Sequence, residues 1–226
     1  KAGFSIVGWT SPGGGSNTIG HGLNSAPEFI ITKTRTASIA YNWNSYHIGT
    51  DSSAPEDYAM ALNTTGARAS SSTAWDSTAP TSSVFSVNST ATVGASGDAM
   101  IAYCFHSVDG YSKVGSYTGN GSADGPFVHT GFKPAWIMLK ESGNARNWVI
   151  SYDNETYYNG LTQSLFPNIS QAEDAYSGSE SGGGGRLDFL SNGFKLRTTS
   201  TSWNNNGGTY IYLAFAESPF KFANAR

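Results

Sequence analysis

An internal repeat constrains the fold of this chain more than any other feature of its sequence. Gly3-Phe4-Ser5 opens one copy, and Gly110-Tyr111-Ser112 opens a second copy 107 residues later. Further matches follow in the same order: residues 27–33 with 134–140, Asn42-Trp43 with Asn147-Trp148, 84–87 with 193–196, and 101–105 with 211–215. Chance does not place so many matches in one order, so the sequence predicts two copies of one unit, residues 1–109 and 110–226.

Each copy has the pattern of β structure. Residues 29–31 and 136–139 are continuous apolar runs, which is typical of central strands, and Phe4-Ser5-Ile6-Val7 alternates in part. Glycine-rich turns separate these runs, and no window of about 11 residues or more carries an apolar stripe at helical spacing. We therefore predict an all-β fold. Its two tandem antiparallel β-sandwiches, of jelly-roll or lectin-like type, would be packed together or would exchange strands.

Composition excludes several classes of partner. Only 13% of the residues are charged, the net charge is −3 and Lys and Arg form no run, so nucleic acid is not expected to bind. No stretch approaches the roughly 20 apolar residues that a membrane-spanning helix needs.

Cys104 is the only cysteine, which suits a product assembled in the cytoplasm. Because the chain begins at Lys1, we expect a processed protein or a fragment of a longer one.

Few residues have the spacing of a catalytic or metal site. Neighbouring carboxylates lie in loops, and none is spaced to share one face of a strand, so polysaccharide degradation is the least favoured function. His21 and His129 occupy nearly matching positions, but neither has a carboxylate or cysteine nearby at ligand spacing. The loop with Asp51 matches no recognised calcium site. We predict a protein that is not an enzyme and uses no metal or cofactor.

The two copies differ most in one place. Residues 64–82 of the first copy and 154–186 of the second fall in the same position of the repeat, are rich in Ser, Thr, Asn and Gly, and share no sequence. Variable loops at one end of a β-sandwich often form a recognition face. Unconstrained drift of a loop is the alternative interpretation.

Aromatic residues divide into two groups. Trp43 and Trp148 recur between the copies, so we expect them to be the core tryptophans. Other rings lie in polar loops and do not recur, and sugar-binding proteins stack such rings on pyranose faces. The candidate ligand-binding residues are Trp75, Tyr157, Tyr158, Trp203 and Asn205. The alternative is that these rings cover the rim of the sandwich or bury themselves in a subunit contact.

Several motifs resemble an uncharacterised repeat domain of tailed-phage virion proteins, many of them from marine phages. The resemblance covers nearly the whole chain and rests on these segments: Gly3-Phe4-Ser5-Ile6-Val7, Ile19-Gly20-His21-Gly22-Leu23, Ala26-Pro27-Glu28-Phe29-Ile30-Ile31, Gly115-Ser116-Tyr117-Thr118-Gly119-Asn120-Gly121, Pro134-Ala135-Trp136-Ile137-Met138, Phe189-Leu190-Ser191-Asn192-Gly193-Phe194-Lys195-Leu196-Arg197 and Ala214-Phe215-Ala216-Glu217. It implies a lectin-like sandwich in a fibre, tail-tip or capsid-decoration protein, and it carries over no catalytic residue.

The sequence and this resemblance together lead to one main functional expectation. We expect a non-enzymatic protein of the virion surface, which serves particle structure or attachment to the host. Its partners would be other virion proteins or further copies of itself, with a glycan of the host surface as a further ligand. A carbohydrate-binding module that uses the loop aromatics is the alternative.

Overall fold

The computed structural model describes residues 3–36, 41–153, 159, 161, 163–173 and 186–219. The chain divides into two compact units, Lys1–Ser107 (unit 1) and Val108–Arg226 (unit 2). Both consist of antiparallel β-sheets joined by loops, so the predicted all-β class is confirmed. In this described part of the chain, no helix is long and apolar enough to cross a membrane.

Unit 1 contains eight strands in two sheets among its described residues. The strands are β1 (Phe4–Thr10), β2 (Asn17–Gly20), β3 (Phe29–Thr34), β4 (Asn44–His47), β5 (Tyr58–Ala61), β6 (Ala69–Ser70), β7 (Val84–Val87) and β8 (Ala99–Phe105). The larger sheet has the order β1-β8-β3-β4-β5-β6, and β2 pairs with β7. A 3-10 turn at Pro55–Asp57 and a short helix α1 (Thr90–Val93) interrupt the loops.

The core of unit 1 lies along one face of its larger sheet. Side chains alternate along β1, so that Val7 and Trp9 pack against the core while Phe4 and Ile6 point outward. The core residues are Ile19, Leu23, Ile30, Tyr46, Ala74, Trp75, Phe85, Val87, Val93, Ala102 and Cys104. Phe85 and Val87 come from β7, so the core includes side chains from both sheets.

Unit 2 contains seven strands among its described residues. They are β9 (Ser112–Thr118), β10 (Phe127–His129), β11 (Pro134–Glu141), β12 (Val149–Tyr152), β13 (Leu187–Leu190), β14 (Gly193–Leu196) and β15 (Thr209–Ala216). One sheet has the order β12-β11-β15-β9 and the other β10-β14-β13. A helix of one turn, α2 (Thr201–Asn204), precedes β15, in the position that α1 has before β8.

Each unit contains its own copy of a hydrogen-bonded clamp, which we call the asparagine clamp: the matched Asn-Trp pair is joined by a second asparagine that the sequence matches do not include. In unit 1 the backbone N–H of Trp43 donates to Asn63 Oδ1 at 2.9 Å, and Asn63 Nδ2 donates to Asn42 Oδ1 at 3.1 Å. In unit 2 the N–H of Trp148 donates to Asn168 Oδ1 at 3.0 Å, and Asn168 Nδ2 donates to Asn147 Oδ1 at 2.8 Å. The same three amides therefore secure the start of β4 and of β12.

The expectation that Trp43 and Trp148 are the two core tryptophans is wrong for Trp43. Trp148 is only 1% exposed, but Trp43 is half-buried. Its ring stacks on Tyr103 at a centroid distance of 6.3 Å, and Lys33 Nζ lies 5.9 Å from its centroid. Ile101 and Tyr103 project from the face of β8 opposite the core, so Trp43 covers that outer face, and Trp75 is the tryptophan in the core of unit 1.

Candidate functional site

Trp75 and Trp203 do not lie on the surface, which corrects the expectation that they offer exposed rings to a sugar. Trp75 is 1% exposed and meets Tyr46 edge-on at 5.8 Å in the core of unit 1. Asp76 and Ser77 follow it with φ of 55° and 41°, and this left-handed turn reverses the chain directly after the ring. Trp203 is 3% exposed in the core of unit 2. Both indoles are used for packing because a large apolar ring gains most when it leaves water.

The remaining predicted residues have different outcomes. Tyr157 and Tyr158 lie outside the described residues. Asn205 directly follows α2 and is half-buried, at the end of the four-stranded sheet of unit 2. Trp203 is two residues from Asn205 in the chain, but its ring lies in the core of unit 2. Trp75 belongs to unit 1. The surroundings of Asn205 form the candidate site.

A buried carboxylate is the centre of this candidate site. β11 ends at Glu141, which pairs with Tyr210 of β15. Glu141 is completely buried. Its Oε1 accepts a hydrogen bond from Asn144 Nδ2 at 2.7 Å and another from Asn205 Nδ2 at 2.9 Å. A Cβ at Gly208 would lie 2.6 Å from Oε1, so this glycine leaves the space that the carboxylate occupies.

The second oxygen of Glu141 is in a different situation. Oε2 is buried and makes no hydrogen bond with any described residue. Arg146 Nε lies 3.5 Å from it, which makes an ion pair without the alignment of a hydrogen bond. The Arg146 side chain is 33% exposed, so its guanidinium lies between the buried carboxylate and the surface.

Lys140 supplies a second positive charge beside Glu141. It is completely buried, and its Nζ donates to the backbone oxygens of Glu141 at 2.5 Å and Asn144 at 2.8 Å. Burial lowers the pKa of the Lys140 ammonium to about 8; the carboxylate of Glu141 raises this pKa and the guanidinium of Arg146 lowers it. We call Lys140, Glu141, Asn144, Arg146 and Asn205 the Glu141 cluster.

The lowered pKa of Lys140 predicts a pH-dependent stability. An unfolded chain keeps this lysine protonated up to about pH 10.4, whereas the folded chain releases the proton from about pH 8. The unfolded state therefore binds more protons between these pH values, and this group makes the free energy of unfolding rise with pH. We expect urea unfolding to show that the wild type gains stability relative to Lys140→Met from about pH 8 to 10.4. A difference that does not change with pH would contradict the buried ammonium.

Asn204 fixes α2 and so positions Asn205. It is completely buried. Its Nδ2 donates to Ser122 O at 2.7 Å and Thr198 O at 2.9 Å, and its Oδ1 accepts from the N–H of Asn120 at 2.8 Å. Next to it, the N–H of Asn205 donates to Tyr210 Oη at 2.8 Å, and that hydroxyl donates to Thr201 O at 2.5 Å. The backbone that carries Asn205 is therefore held on both sides.

The electrostatics of the Glu141 cluster do not favour a metal ion. Two of its three charged groups are cations, and both lie beside the one carboxylate. Cations such as Ca²⁺ bind several oxygen ligands without a competing ammonium or guanidinium. Throughout the described ranges, no group of three or more His, Cys, Asp or Glu side chains could hold a metal ion.

Other side chains singled out from the sequence have structural partners. His21 is buried, its Nδ1 accepts from the N–H of Leu23 at 3.1 Å, and Nε2 lies 3.1 Å from Thr81 O. Asp51 accepts from two backbone N–H groups and pairs with Arg68 at 2.8 Å. These hydrogen bonds lower the pKa of the Asp51 carboxyl. Burial raises the pKa of the Cys104 thiol to about 12, which leaves it unreactive.

Sequence reasoning found Asn205 but missed the residues that surround it. Glu141, Asn144 and Arg146 follow a continuous apolar run, where charged residues usually mark the solvated end of a strand. One signal was available: within the repeat, Lys33-Thr34 matches Lys140-Glu141, so a carboxylate in the second copy replaces a hydroxyl in the first. Such an exchange at an otherwise matched strand marks a position where the two units differ in chemistry.

Comparison with known proteins identifies a family. Residues 1–219 match the family described as a domain of unknown function, DUF7483. Because the match covers nearly the entire chain, the chain belongs to this family. No curated protein and no solved structure matches it.

Proposed function

We propose that this DUF7483 domain is a non-enzymatic module of a virion surface, which assembles with further copies of itself and takes part in particle structure or attachment to a host. The resemblance to repeat domains of tailed-phage virion proteins favours this function. So does a surface with few charged groups, since only 13% of the residues are charged. Other virion proteins would be further partners, and a position outside the cell on the particle follows from the same proposal.

The proposal includes a finer description of the fold. We propose that each unit is an antiparallel β-sandwich of jelly-roll or lectin-like type and that the two are a tandem repeat. Support comes from the asparagine clamp. In each unit it joins two asparagine side chains and the backbone N–H of a tryptophan, in the same order along the chain. In each unit the core also takes side chains from a larger and a smaller sheet.

The observation that carries the assembly proposal is the surface of β1. Among the described strands, β1 pairs only with β8, so it lies at the edge of its sheet. Phe4 is 41% exposed and Ile6 is 58% exposed, both on the outer face of β1. A seven-residue edge strand with exposed apolar side chains and no proline is a template for pairing with another chain.

A second copy of this chain suits that edge. β1 contains no charged residue, so two copies can approach without repulsion between like charges. Two identical β1 strands can pair antiparallel about a two-fold axis, which places Phe4 of one copy beside β1 of the other. Pairing would bury the exposed part of Phe4 and Ile6 and would satisfy backbone groups at the edge.

The assembly test replaces one exposed side chain on this edge. We expect the wild type to form dimers or larger assemblies in sedimentation and light-scattering measurements. Ile6→Ser should weaken the association by at least about tenfold, because the hydroxyl cannot replace the apolar contact. Far-UV circular dichroism should stay unchanged, since more than half of Ile6 is already in water.

A matched control and a particle experiment complete this test. Ile48 is 45% exposed but lies in the turn after β4, so Ile48→Ser should leave the association unchanged. Antibodies against the domain should label purified virions of the phage that encodes it. A monomeric wild-type protein would overturn the self-association, and absence of the domain from purified virions would overturn the virion function.

A further inference from the structure

We propose that the Glu141 cluster is a binding site for a carboxylate-bearing sugar, of the kind found in acidic polysaccharides with hexuronic acid residues. In this site Arg146 pairs with the sugar carboxylate, while Asn144 and Asn205 bind its hydroxyl groups. The inference rests on the host-attachment part of the proposed function. Its test needs only the folded domain, so failure of sugar binding can be distinguished from failure of the virion function. Particle association tests the virion function, and sugar binding tests this site.

The first argument is that the backbone arrangement at this strand end also forms without the cluster. Unit 1 has the same strand end without it, because the N–H of Arg35 donates to Ala99 O as the N–H of Ser142 donates to Thr209 O. The residue before each donor is Thr34 in unit 1 and Glu141 in unit 2. A hydroxyl at this position is thus compatible with the same backbone arrangement.

The residues at the end of the next helix also differ between the units, and the backbone differs with them, since φ is 88° at Gly94 and −59° at Asn205. In α1 the N–H of Val93 donates to Ser89 O, and in α2 the N–H of Asn204 donates to Ser200 O. The next residue is Gly94 in unit 1, and in unit 2 it is Asn205, which binds Glu141. A glycine and an apolar residue thus stand where unit 2 has two asparagines. Asn204 holds the surrounding backbone, whereas the side chain of Asn205 is directed to Glu141.

The second argument is the chemistry that the cluster presents. Glu141 Oε1 holds one N–H of each amide, which fixes the orientation of Asn144 and Asn205. The Oδ1 of each amide makes no hydrogen bond with another described residue, and both residues reach the surface. An oriented amide offers a donor and an acceptor side by side, which matches hydroxyl groups because these also donate and accept.

The third argument is the guanidinium of Arg146. Its one ionic contact within the described residues is Glu141 Oε2 at 3.5 Å, and it has no aligned hydrogen bond there. Its planar fork can therefore bind a carboxylate through two parallel hydrogen bonds. With Lys140 protonated at neutral pH, the cluster has two positive charges and one negative charge. The excess positive charge favours an acidic ligand over a neutral one.

The test compares two sugars that differ only in whether their carboxyl groups are ionised or methylated. Titration calorimetry would use trigalacturonate and its methyl ester, which has the same hydroxyl groups but no carboxylate charge. We expect the acid to bind and the ester to bind at least about tenfold more weakly. In NMR spectra, trigalacturonate should shift the side-chain amide signals of Asn144 and Asn205.

Two charge-matched variants decide whether Arg146 holds the ligand. Arg146→Gln should weaken trigalacturonate binding by at least about tenfold. Arg197→Gln removes the same charge from a surface ion pair with Asp188 in unit 2, and it should leave binding unchanged. Equal binding of acid and ester, or equal binding by the two variants, would overturn the site. If the domain is detected on purified virions but the wild-type domain does not bind trigalacturonate, this inference is overturned and the virion function stands.

Discussion

Replacing Trp203 with alanine is expected to lower the free energy of unfolding by about 3–5 kcal/mol, as loss of a buried indole does in other protein cores. Trp203 is 3% exposed and belongs to the same core cluster as Tyr117, Phe194 and Tyr210. Its backbone oxygen also accepts a hydrogen bond from Tyr117 Oη at 2.7 Å. The substitution would leave a cavity beneath α2 that these neighbours fill only in part.

Urea denaturation measures this loss, and hydrogen exchange locates it. Amides of β11 and β15 should lose protection most, because these strands form the centre of the sheet that faces Trp203. Trp43→Ala is the matched control, since it removes the same side chain from a half-buried position and should cost about 1–2 kcal/mol. A Trp203→Ala variant with unchanged stability would show that this ring is not part of the core.

Glu141→Ala is expected to cost about 3 kcal/mol of folding free energy. The change removes the acceptor shared by Asn144 and Asn205, so both amides lose a partner. It also leaves the buried Lys140 ammonium without its neighbouring negative charge. The cost stays below that of breaking a fully buried pair, because the Arg146 side chain is 33% exposed and can turn to water.

The matching position of unit 1 supplies the control for this prediction. Thr34 is 6% exposed, and its hydroxyl is buried without a hydrogen bond to any described residue. Thr34→Ala should therefore change the stability by no more than about 1 kcal/mol. Similar costs for the two substitutions in thermal and urea unfolding would contradict the central place of Glu141 in its cluster.

The strands were predictable because their signal is local. The apolar run at 136–139 lies within β11, and residues 29–31 lie within β3, each next to the strand that closes its unit. A run of this kind is buried on both faces of a central strand, and glycines mark where it ends. Such patterns depend on neighbours in the chain, so the all-β class could be inferred without coordinates.

The candidate site was predictable only at Asn205. Its partners Glu141 and Asn144 lie more than 60 residues earlier in the chain, and pairing of β11 with β15 brings them together. The rings of Trp75 and Trp203 show the opposite error. Both stand among polar loop residues, where they resembled surface rings, yet each contributes to a core.

Local pattern and tertiary contact thus account for different parts of this protein. The repeat and the strand periodicity of two residues are properties of the chain itself, and they suffice for the secondary-structure class. Burial of a loop tryptophan, or the meeting of a carboxylate with two distant amides, depends on which surfaces lie opposite each other after folding. Burial energy and hydrogen-bond geometry act between residues that are distant in sequence. Only the folded chain therefore shows that the Trp203 ring is buried in the core and that Glu141 binds Asn144 and Asn205.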